Sequence, residues 1–508
     1  MQVEKIPLIV NGKLDKRALP EPKYQSSRKG RAPATPMEQL FCNIYEEVLA
    51  IENISAEDSF FELGGSSLTV TRVIIAADKH DINIAFADVF AHPSPAELAA
   101  FVEGSSEAGL PEFEDLGIYD YGEIEKLLAR NNLQSFKASK RNPLGRVLLT
   151  GVTGYLGIHI LRELLHNYDN TVFCLVRPSA KLSAAKRLDS LYFYYFNQVL
   201  SEEYVDRIQV LDGDVTDMAS LEVCAAEEID TVINCAANIK HFSKGTDIED
   251  VNYTGAINLI TLCEQTGARL IQTSTVSVSG MYVDEPGPTA ALSENQLYVG
   301  QVQVSKYTQS KFMAERALLE KIAKGFKGKI MRLRNLGPRE RDGEYQINFN
   351  TNSFMGRLKA NVIVGSYPYD VIEMPFELTP IDDLAQAVLL LAQTPDDCTV
   401  FHPYNNHVLM MGDMYEAMNA QNLHSRAVEM EEYESALAEA KQDPVIAEKL
   451  AGLLAYENLA HGQKIFSIGS SNLFTMQVLY RMGFRWPLTS AQYMKRFLEA
   501  LIGLNFFD

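Results

Sequence analysis

Cysteine is scarce in this 508-residue chain and follows no pattern. The six cysteines (Cys42, Cys174, Cys224, Cys235, Cys263, Cys398) form no C-x-x-C pair and show no Cys/His ligand spacing. That excludes a disulfide-stapled scaffold and a structural zinc site, and implies a reducing compartment. Positive charge is also in deficit: 46 Lys and Arg stand against 66 Asp and Glu, for a net charge of −20. Nucleic-acid binding needs cations clustered against phosphates and is excluded on that balance. A pocket for an anionic cofactor has to be built locally, from individual arginines. No apolar run approaches the ~20 residues of a membrane span, and the N-terminus lacks a basic-then-apolar leader pattern. The expectation is a cytoplasmic protein of about two to four domains that engages neither membrane nor nucleic acid.

The segments that are present differ in character. Lys5 to Pro22 reads K-I-P-L-I-V-N-G-K-L-D-K-R-A-L-P-E-P, with a turn at Asn11-Gly12 and closing prolines, like the tail of something larger. From Thr35, Met37, Leu40, Phe41, Ile44 and Leu49 recur at three-to-four spacing, and Thr35 with Glu38 fits a capping box. Helices are also expected over Ser67 to Asp78 and Ser94 to Val102. Residues 1–24 are read as tail and linker, 25–105 as a small all-α four-helix bundle, and 106–140 as a linker with a connecting helix.

From Arg146, short apolar runs alternate with amphipathic stretches. The runs are Arg146 to Thr150, Thr171 to Val176, Arg207 to Leu211, Thr231 to Ala236, Arg269 to Ser274 and Lys329 to Leu333. Continuous apolar strands between helices imply a doubly wound parallel sheet covered on both faces, a Rossmann-type α/β domain over 141–385. Residues 386–508 are expected to form a smaller, mainly helical substrate or lid subdomain.

Two chemical motifs lie in series. In D-S-F-F-E-L-G-G-S-S-L (Asp58 to Leu68), Ser67 follows Gly64-Gly65 where a loop becomes a helix. A helix N-terminus suits a phosphodiester, although the same position suits a plain serine cap. The second is G-V-T-G-Y-L-G after a strand: Gly151 for the tight turn, Gly154 for backbone approach to a pyrophosphate, Gly157 for helix–sheet packing. Thr153, Tyr155 and Leu156 belong to the same candidate cofactor loop. The second strand ends in Arg177 rather than an acid, which favours a 2′-phosphate and hence NADPH over NADH; Arg187 is a candidate second contact. Asp214 and Val215 end the third strand where an adenine edge belongs. Ala236, Ala237 and Asn238 end the fourth, where small residues let a cofactor pass; Asn252, further on, fits a packing role as well as a functional one.

Tyr307 and Lys311 stand four apart on one helical face, an arrangement in which a lysine cation lowers the phenol pKa. Thr275 ends the fifth strand, where active residues of such sheets gather, with Ser274 and Ser277 as rivals.

The Asp58–Leu68 motif, over about Arg31 to Glu103, resembles the peptidyl carrier domains of nonribosomal peptide synthetases, with Ser66 where His or Asp is usual. That resemblance implies 4′-phosphopantetheine on Ser67, placed by a phosphopantetheinyl transferase. N-G-K-L-D (Asn11 to Asp15) resembles the last motif of an adenylation domain, whose lysine would be Lys13, inert in this chain. The ordered set of glycines, Arg177, N-C-A-A-N, V-N-x-x-G, S-T-V-S and Y-x-x-x-K resembles extended short-chain dehydrogenase/reductases. I-N-C-A-A-N-I-K-H-F (Ile233 to Phe242) is most like their thioester reductase branch. R-L-R-N-L-G departs from the usual R-x-G-N by carrying Arg334, next to Asn335, a further candidate cofactor contact.

These resemblances imply a carrier–reductase pair at the end of a synthetase, with adenylation and condensation domains upstream. A peptidyl or aminoacyl thioester held on Ser67 would be reduced by NADPH and released as an aldehyde, or after a second hydride as an alcohol. Thr275, Tyr307 and Lys311 would be the catalytic residues. The rivals are a sugar-nucleotide epimerase or dehydratase beside a carrier, and a redox-inactive domain that cyclises or releases product.

Overall fold

A computed structural model of the chain describes residues 30–507 except 66, 79, 81, 83, 85, 105–114, 135, 178, 180–181, 241–244, 348–352 and 451–463. The segment assigned to an adenylation tail, with Lys13, lies outside the described residues. The chain divides into two compact units. One comprises Met1–Gly109, Ser353–Ala360 and Ser435–His461; the other comprises Leu110–Asn352, Asn361–Glu434 and Gly462–Asp508. Among the described residues, no helix is long and apolar enough to cross a membrane.

The first unit holds helices α1 (Pro36–Leu49), α2 (Ser67–Asp78), α3 (Phe86–Ala91) and α4 (Pro95–Gly104). Thr35 caps α1 as its spacing predicts, its hydroxyl accepting from the Glu38 N–H at 3.1 Å. Glu38 does not close the box on Thr35. Its carboxylate accepts from the Ala34 N–H at 2.6 Å and takes a two-pronged bond from Arg31, both prongs 2.7 Å. Those bonds hold the Glu38 carboxyl down at about 2. Phe41, Tyr45, Phe60, Val70, Val73 and Leu98 are all fully buried in one core, each large side chain contributing on the order of 1.5–3 kcal/mol on burial.

In the second unit the strands are β1 (Val147–Thr150), β2 (Val172–Val176), β3 (Ile208–Asp212), β4 (Thr231–Asn234), β5 (Arg269–Thr275), β6 (Gly328–Leu333) and β7 (Val400–Phe401). They form one sheet in the order β7-β6-β5-β4-β1-β2-β3 with every pairing parallel. β1, β2 and β7 are largely or wholly apolar, and β1, β2, β4 and β5 are buried throughout, as strands covered on both faces must be. The predicted strands fall within a residue or two of the observed ones. The exception is β7: the sheet takes its last strand from beyond 385, and that boundary falls inside the helix Ile381–Ala392.

The stretch read as a linker is partly core. Helix α5 (Gly122–Leu128) buries Tyr121, Ile124, Leu127 and Leu128 against the sheet domain. Asn131 then donates to the carbonyls of Glu294 (3.0 Å) and Val400 (3.1 Å), tying this connector to β7. The remaining elements used below are α6 (Tyr155–Asn167), α7 (Ala184–Phe196), α8 (Gly255–Thr266) and α9 (Lys306–Ala323).

Candidate active site

Strand order reverses between β1 and β4, which opens a crevice at the carboxyl ends of the strands. A polar ladder braces that edge. Register puts Thr150, Asn234 and Gln272 side by side, with Thr150 Oγ1 donating to Asn234 Oδ1 at 2.5 Å and Asn234 Nδ2 to Gln272 Oε1 at 2.9 Å. Polar groups this deep are tolerated only when paired, and here they lock three strand ends to one level.

The glycine loop opens on β1. Gly151 has φ +65°, and a Cβ there would lie 2.3 Å from the Ala236 nitrogen, so β1 and β4 end in backbone contact. A Cβ on Gly157 would strike the Gly151 oxygen at 2.3 Å. Gly154 differs: it is exposed, and the atom nearest a Cβ is the Gly151 oxygen at 3.1 Å. It caps α6 without any side-chain bond, leaving the first N–H groups of the helix turned toward the crevice. A pyrophosphate fits such a cradle.

Arg177 is exposed at the tip of β2. Arg187, in the first turn of α7, reaches the Arg177 carbonyl (3.5 Å) and the Thr153 hydroxyl (3.4 Å), so both arginines and the loop share one rim. Tyr155 turns away: its hydroxyl donates toward the carbonyls of Gly337 (3.1 Å) and Glu344 (3.0 Å). Leu156 is buried beside it. Asp214 folds its carboxylate onto Thr216, accepting from its N–H and its hydroxyl at 3.0 Å each, and Val215 packs beneath α8 against Gly255.

Asn238 follows Ala236 and Ala237 out of β4 and commits its side chain to Asp247 (3.0 Å). Its backbone is gripped at both ends by Asn252, which accepts from the Asn238 N–H and donates to its carbonyl, each at 2.9 Å. Asn252 sits in a π-helical turn, Asp250–Thr254, and also reaches the Ser310 hydroxyl at 3.2 Å. Ser310 in turn donates to the Tyr307 carbonyl (2.9 Å). Asn252 therefore joins the β4 exit to the helix of the Tyr–Lys pair.

That helix, α9, is capped by Ser305, whose hydroxyl accepts from the Thr308 N–H at 3.2 Å and places Tyr307 in its first turn. Thr275 and Tyr307 come together: the Thr275 side chain stands near enough to the phenol to oppose the upward shift of its pKa. Thr275 also accepts from the Ser277 N–H at 3.1 Å. Of the two rival serines, Ser277 is exposed, whereas the buried Ser274 Oγ has no hydrogen-bond partner. Lys311 is 1% exposed, and its Nζ donates to the Thr273 carbonyl at 3.3 Å.

Burial pushes Lys311 down to about 8, opposed by Glu315 and then Cys235. It pushes Tyr307 up, opposed by Thr275. The expectation that Lys311 draws the phenol pKa down needs correcting: desolvation of the ring is the larger effect, and the relief comes from Thr275.

Arg334 and Asn335 both turn to Glu377. Asn335 Nδ2 donates to Glu377 Oε2 (2.9 Å), and Arg334 Nε lies 3.4 Å from the same oxygen while its guanidinium covers Tyr404 at 5.3 Å. Burial lifts Glu377 to about 7, with Arg334 the chief counterweight. Arginine in place of glycine in this motif thus serves a carboxylate–aromatic pair, and the Asn335 amide is committed there too. Nothing in a one-dimensional reading marks Glu377, which lies some forty residues away.

In the first unit, Gly64 (φ +98°) and Gly65 make the turn before α2. A Cβ on Gly65 would enter the Phe60 ring at 2.3 Å, so the Phe-Phe and Gly-Gly halves of the motif are two sides of one contact. Ser67 begins α2, and its side chain lies outside the described residues.

Residues 39–102 match the family described as a phosphopantetheine attachment site, and residues 149–388 match the NAD-binding family described as male sterility protein. The chain is similar to a thiolation–reductase di-domain from an archaeal nonribosomal peptide synthetase. Identity is 32% and the TM-score 0.84, covering 94% of this chain and 100% of that one. It is 26% identical over 460 residues to a linear gramicidin synthase of Brevibacillus parabrevis (87% of this chain, 9% of that protein). It is 27% identical over 429 residues to the L-2-aminoadipate reductase large subunit of Eremothecium gossypii (76% of this chain, 30% of that protein). The chain thus spans under a third of either of these two relatives.

Proposed function

We infer a function from one premise: this chain belongs to the carrier–reductase family of nonribosomal peptide synthetases, a phosphopantetheine-attachment domain ahead of a male-sterility-type NAD-binding reductase. The proposal is reductive release. A peptidyl or aminoacyl thioester on the pantetheine arm of Ser67 is reduced at the expense of NADPH and leaves as an aldehyde. The observation that carries it is the approach of the Thr275 side chain to the Tyr307 phenol at the crevice, beside a glycine cradle with open helix N–H groups.

The residues fit NADPH. The Gly151–Gly157 cradle and the N-terminus of α6 would hold the pyrophosphate, and Arg177 with Arg187 the 2′-phosphate, two local cations on a chain of net charge −20. When bound, NADPH would supply hydride to the carbonyl carbon. Thr275 and Tyr307 bring two hydroxyls from different elements to one point, donors for an oxygen on which negative charge develops. Because burial raises its pKa, Tyr307 keeps its proton at neutral pH and can deliver it to that oxygen. Lys311 adds a buried cation one turn along the same helix. Asn252 fixes where α9 begins relative to the end of β4.

The upstream adenylation and condensation domains and the transferase that primes Ser67 are the partners this reading requires. The test is direct. The carrier is converted to its holo form and loaded with an aminoacyl pantetheine, and NADPH absorbance and released product are followed together. Stoichiometric NADPH loss with a free aldehyde supports the proposal; a charged sample that neither oxidises NADPH nor releases a carbonyl compound or alcohol refutes it. An epimerase or dehydratase would consume no NADPH.

A further inference from the structure

Helix α9 carries a third polar group on the face of Tyr307 and Lys311. Glu315 lies four residues past Lys311 and is fully buried. It accepts three bonds from Arg332 of β6: Nε to Oε2 at 2.9 Å, Nε to Oε1 at 3.2 Å and Nη2 to Oε2 at 2.8 Å. Arg332, also fully buried, gives its remaining amine to the Gln296 carbonyl (3.0 Å) and to His402 Nε2 (3.2 Å). His402 Nδ1 stands 2.6 Å from the Ser471 carbonyl oxygen and must hold the ring proton, which leaves Nε2 a pure acceptor. Burial and the adjacent guanidinium hold the His402 pKa well below its usual value. Lys311 and Glu315 are thus both buried one helical turn apart on one face, with the carboxylate bonded to Arg332 from β6.

As a stabilising device this is poor design, because desolvating both partners costs about what their attraction returns, and apolar packing would hold helix to strand as well. Its place beside Lys311 gives it another use. We propose that Glu315 is a positioning residue for the reduction: pinned by Arg332, its carboxylate holds Lys311 as an ammonium beneath Tyr307 through neutral pH. The inference rests on the function proposed above, in which Lys311 works as a cation.

The surroundings of Lys311 leave Glu315 as the main source of that effect. On α9 itself the facing groups are Tyr307 and Glu315. From β5 comes the Thr273 carbonyl, from the end of β4 the Cys235 thiol, and from β6 Arg332, behind the carboxylate. The 276–279 turn carries no titratable group. The acids of the other elements packed on α9 sit at the rim and several have partners there: Glu249 with Lys306 (3.3 Å), Asp250 with the Thr246 hydroxyl (2.8 Å), Glu264 with Lys321 (2.7 Å) and Glu123 with Lys126 (2.6 Å). Asp247 accepts from Asn238.

The test is a pH profile of kcat and kcat/KM for the full chain, from about pH 6 to 10, with NADPH and a diffusible acyl-pantetheine thioester. Wild type should lose activity as Lys311 deprotonates, with a basic limb near its value of about 8. Removing an adjacent opposite charge moves such a group by on the order of one pH unit. For Glu315→Gln, kcat should therefore fall about fivefold at pH 8 and hardly at all at pH 6. The single variant strands Arg332, so a second variant, Glu315→Gln with Arg332→Gln, removes both charges and keeps the shape; its limb should move the same way.

A uniform loss across pH in the double variant, or a limb left in place, overturns the inference and makes the pair structural only. Lys311→Ala separates the two levels. If it matches wild type, or wild type itself does not consume NADPH, the functional reading falls and takes this inference with it. If Lys311→Ala is impaired while the Glu315 variants keep the wild-type limb, the inference falls alone.

Discussion

Replacing the three fingerprint glycines by alanine, one at a time, should separate folding from cofactor binding. At Gly151 the new methyl meets backbone just past the end of β4, 2.3 Å from both the Ala236 nitrogen and the Cys235 carbonyl carbon, at φ +65°. Left-handed strain of ~1–2 kcal/mol and overpacking of ~1–3 kcal/mol together make a loss of about 2–5 kcal/mol. At Gly157 φ is ordinary, but the methyl strikes Gly151 at 2.3 and 2.8 Å, so only the overpacking of ~1–3 kcal/mol applies. For a domain of this size that lowers Tm by roughly 1–4 °C.

At Gly154 the methyl has one close neighbour, at 3.1 Å, and an extended φ of −87° that alanine adopts freely. Stability should change by under about 1 kcal/mol. The methyl would, however, stand where the pyrophosphate approaches the helix, and NADPH should bind at least ~10-fold more weakly. Thermal unfolding and NADPH fluorescence titration on the same samples read the two effects apart. Gly154→Ala binding NADPH like wild type would refute the cradle as a phosphate site; Gly157→Ala unfolding with wild type would refute its tight packing on Gly151.

Three further outcomes are expected. Arg177→Ala should weaken NADPH by ~1.5–3 kcal/mol, the worth of a hydrogen bond to a charged group, and leave NADH nearly unchanged; equal losses for both cofactors in a binding titration would contradict 2′-phosphate recognition. Tyr307→Phe should lower kcat by on the order of 10²–10⁴ with NADPH affinity largely kept, and near-full turnover in a stopped assay would remove Tyr307 from proton delivery. Ser67→Ala should abolish release of carrier-tethered substrate while a diffusible thioester is still reduced; retained turnover of tethered cargo, followed by mass spectrometry of the carrier, would place the attachment elsewhere.

The sequence alone determined what depends on neighbours along the chain. Glycine spacing, a strand before it and a helix after it specify the cradle, because φ and close approach are local demands. Apolar runs of strand length between amphipathic stretches specify the parallel sheet to within a residue or two, and Thr35 announces the first helix. Tyr307 and Lys311 share a face simply because they are four apart. The capping box at Glu38 went differently because a charged partner, Arg31, outcompeted the local bond.

Tertiary structure decided what depends on distant elements meeting. It chose Thr275 for contact with Tyr307 and left Ser277 in solvent, since strand register and helix docking set which hydroxyl faces the phenol. It drew the supposed linker into the core through Tyr121 to Leu128 and added a seventh strand from past the expected boundary. It also set the electrostatics. Burial raised Tyr307 where the Tyr–Lys spacing had suggested the reverse, and the carboxylates that answer Lys311, Arg332 and Arg334 became visible only when helix, strand and loop closed around them. A desolvation cost is a property of the surrounding volume, and no periodicity in a chain records it.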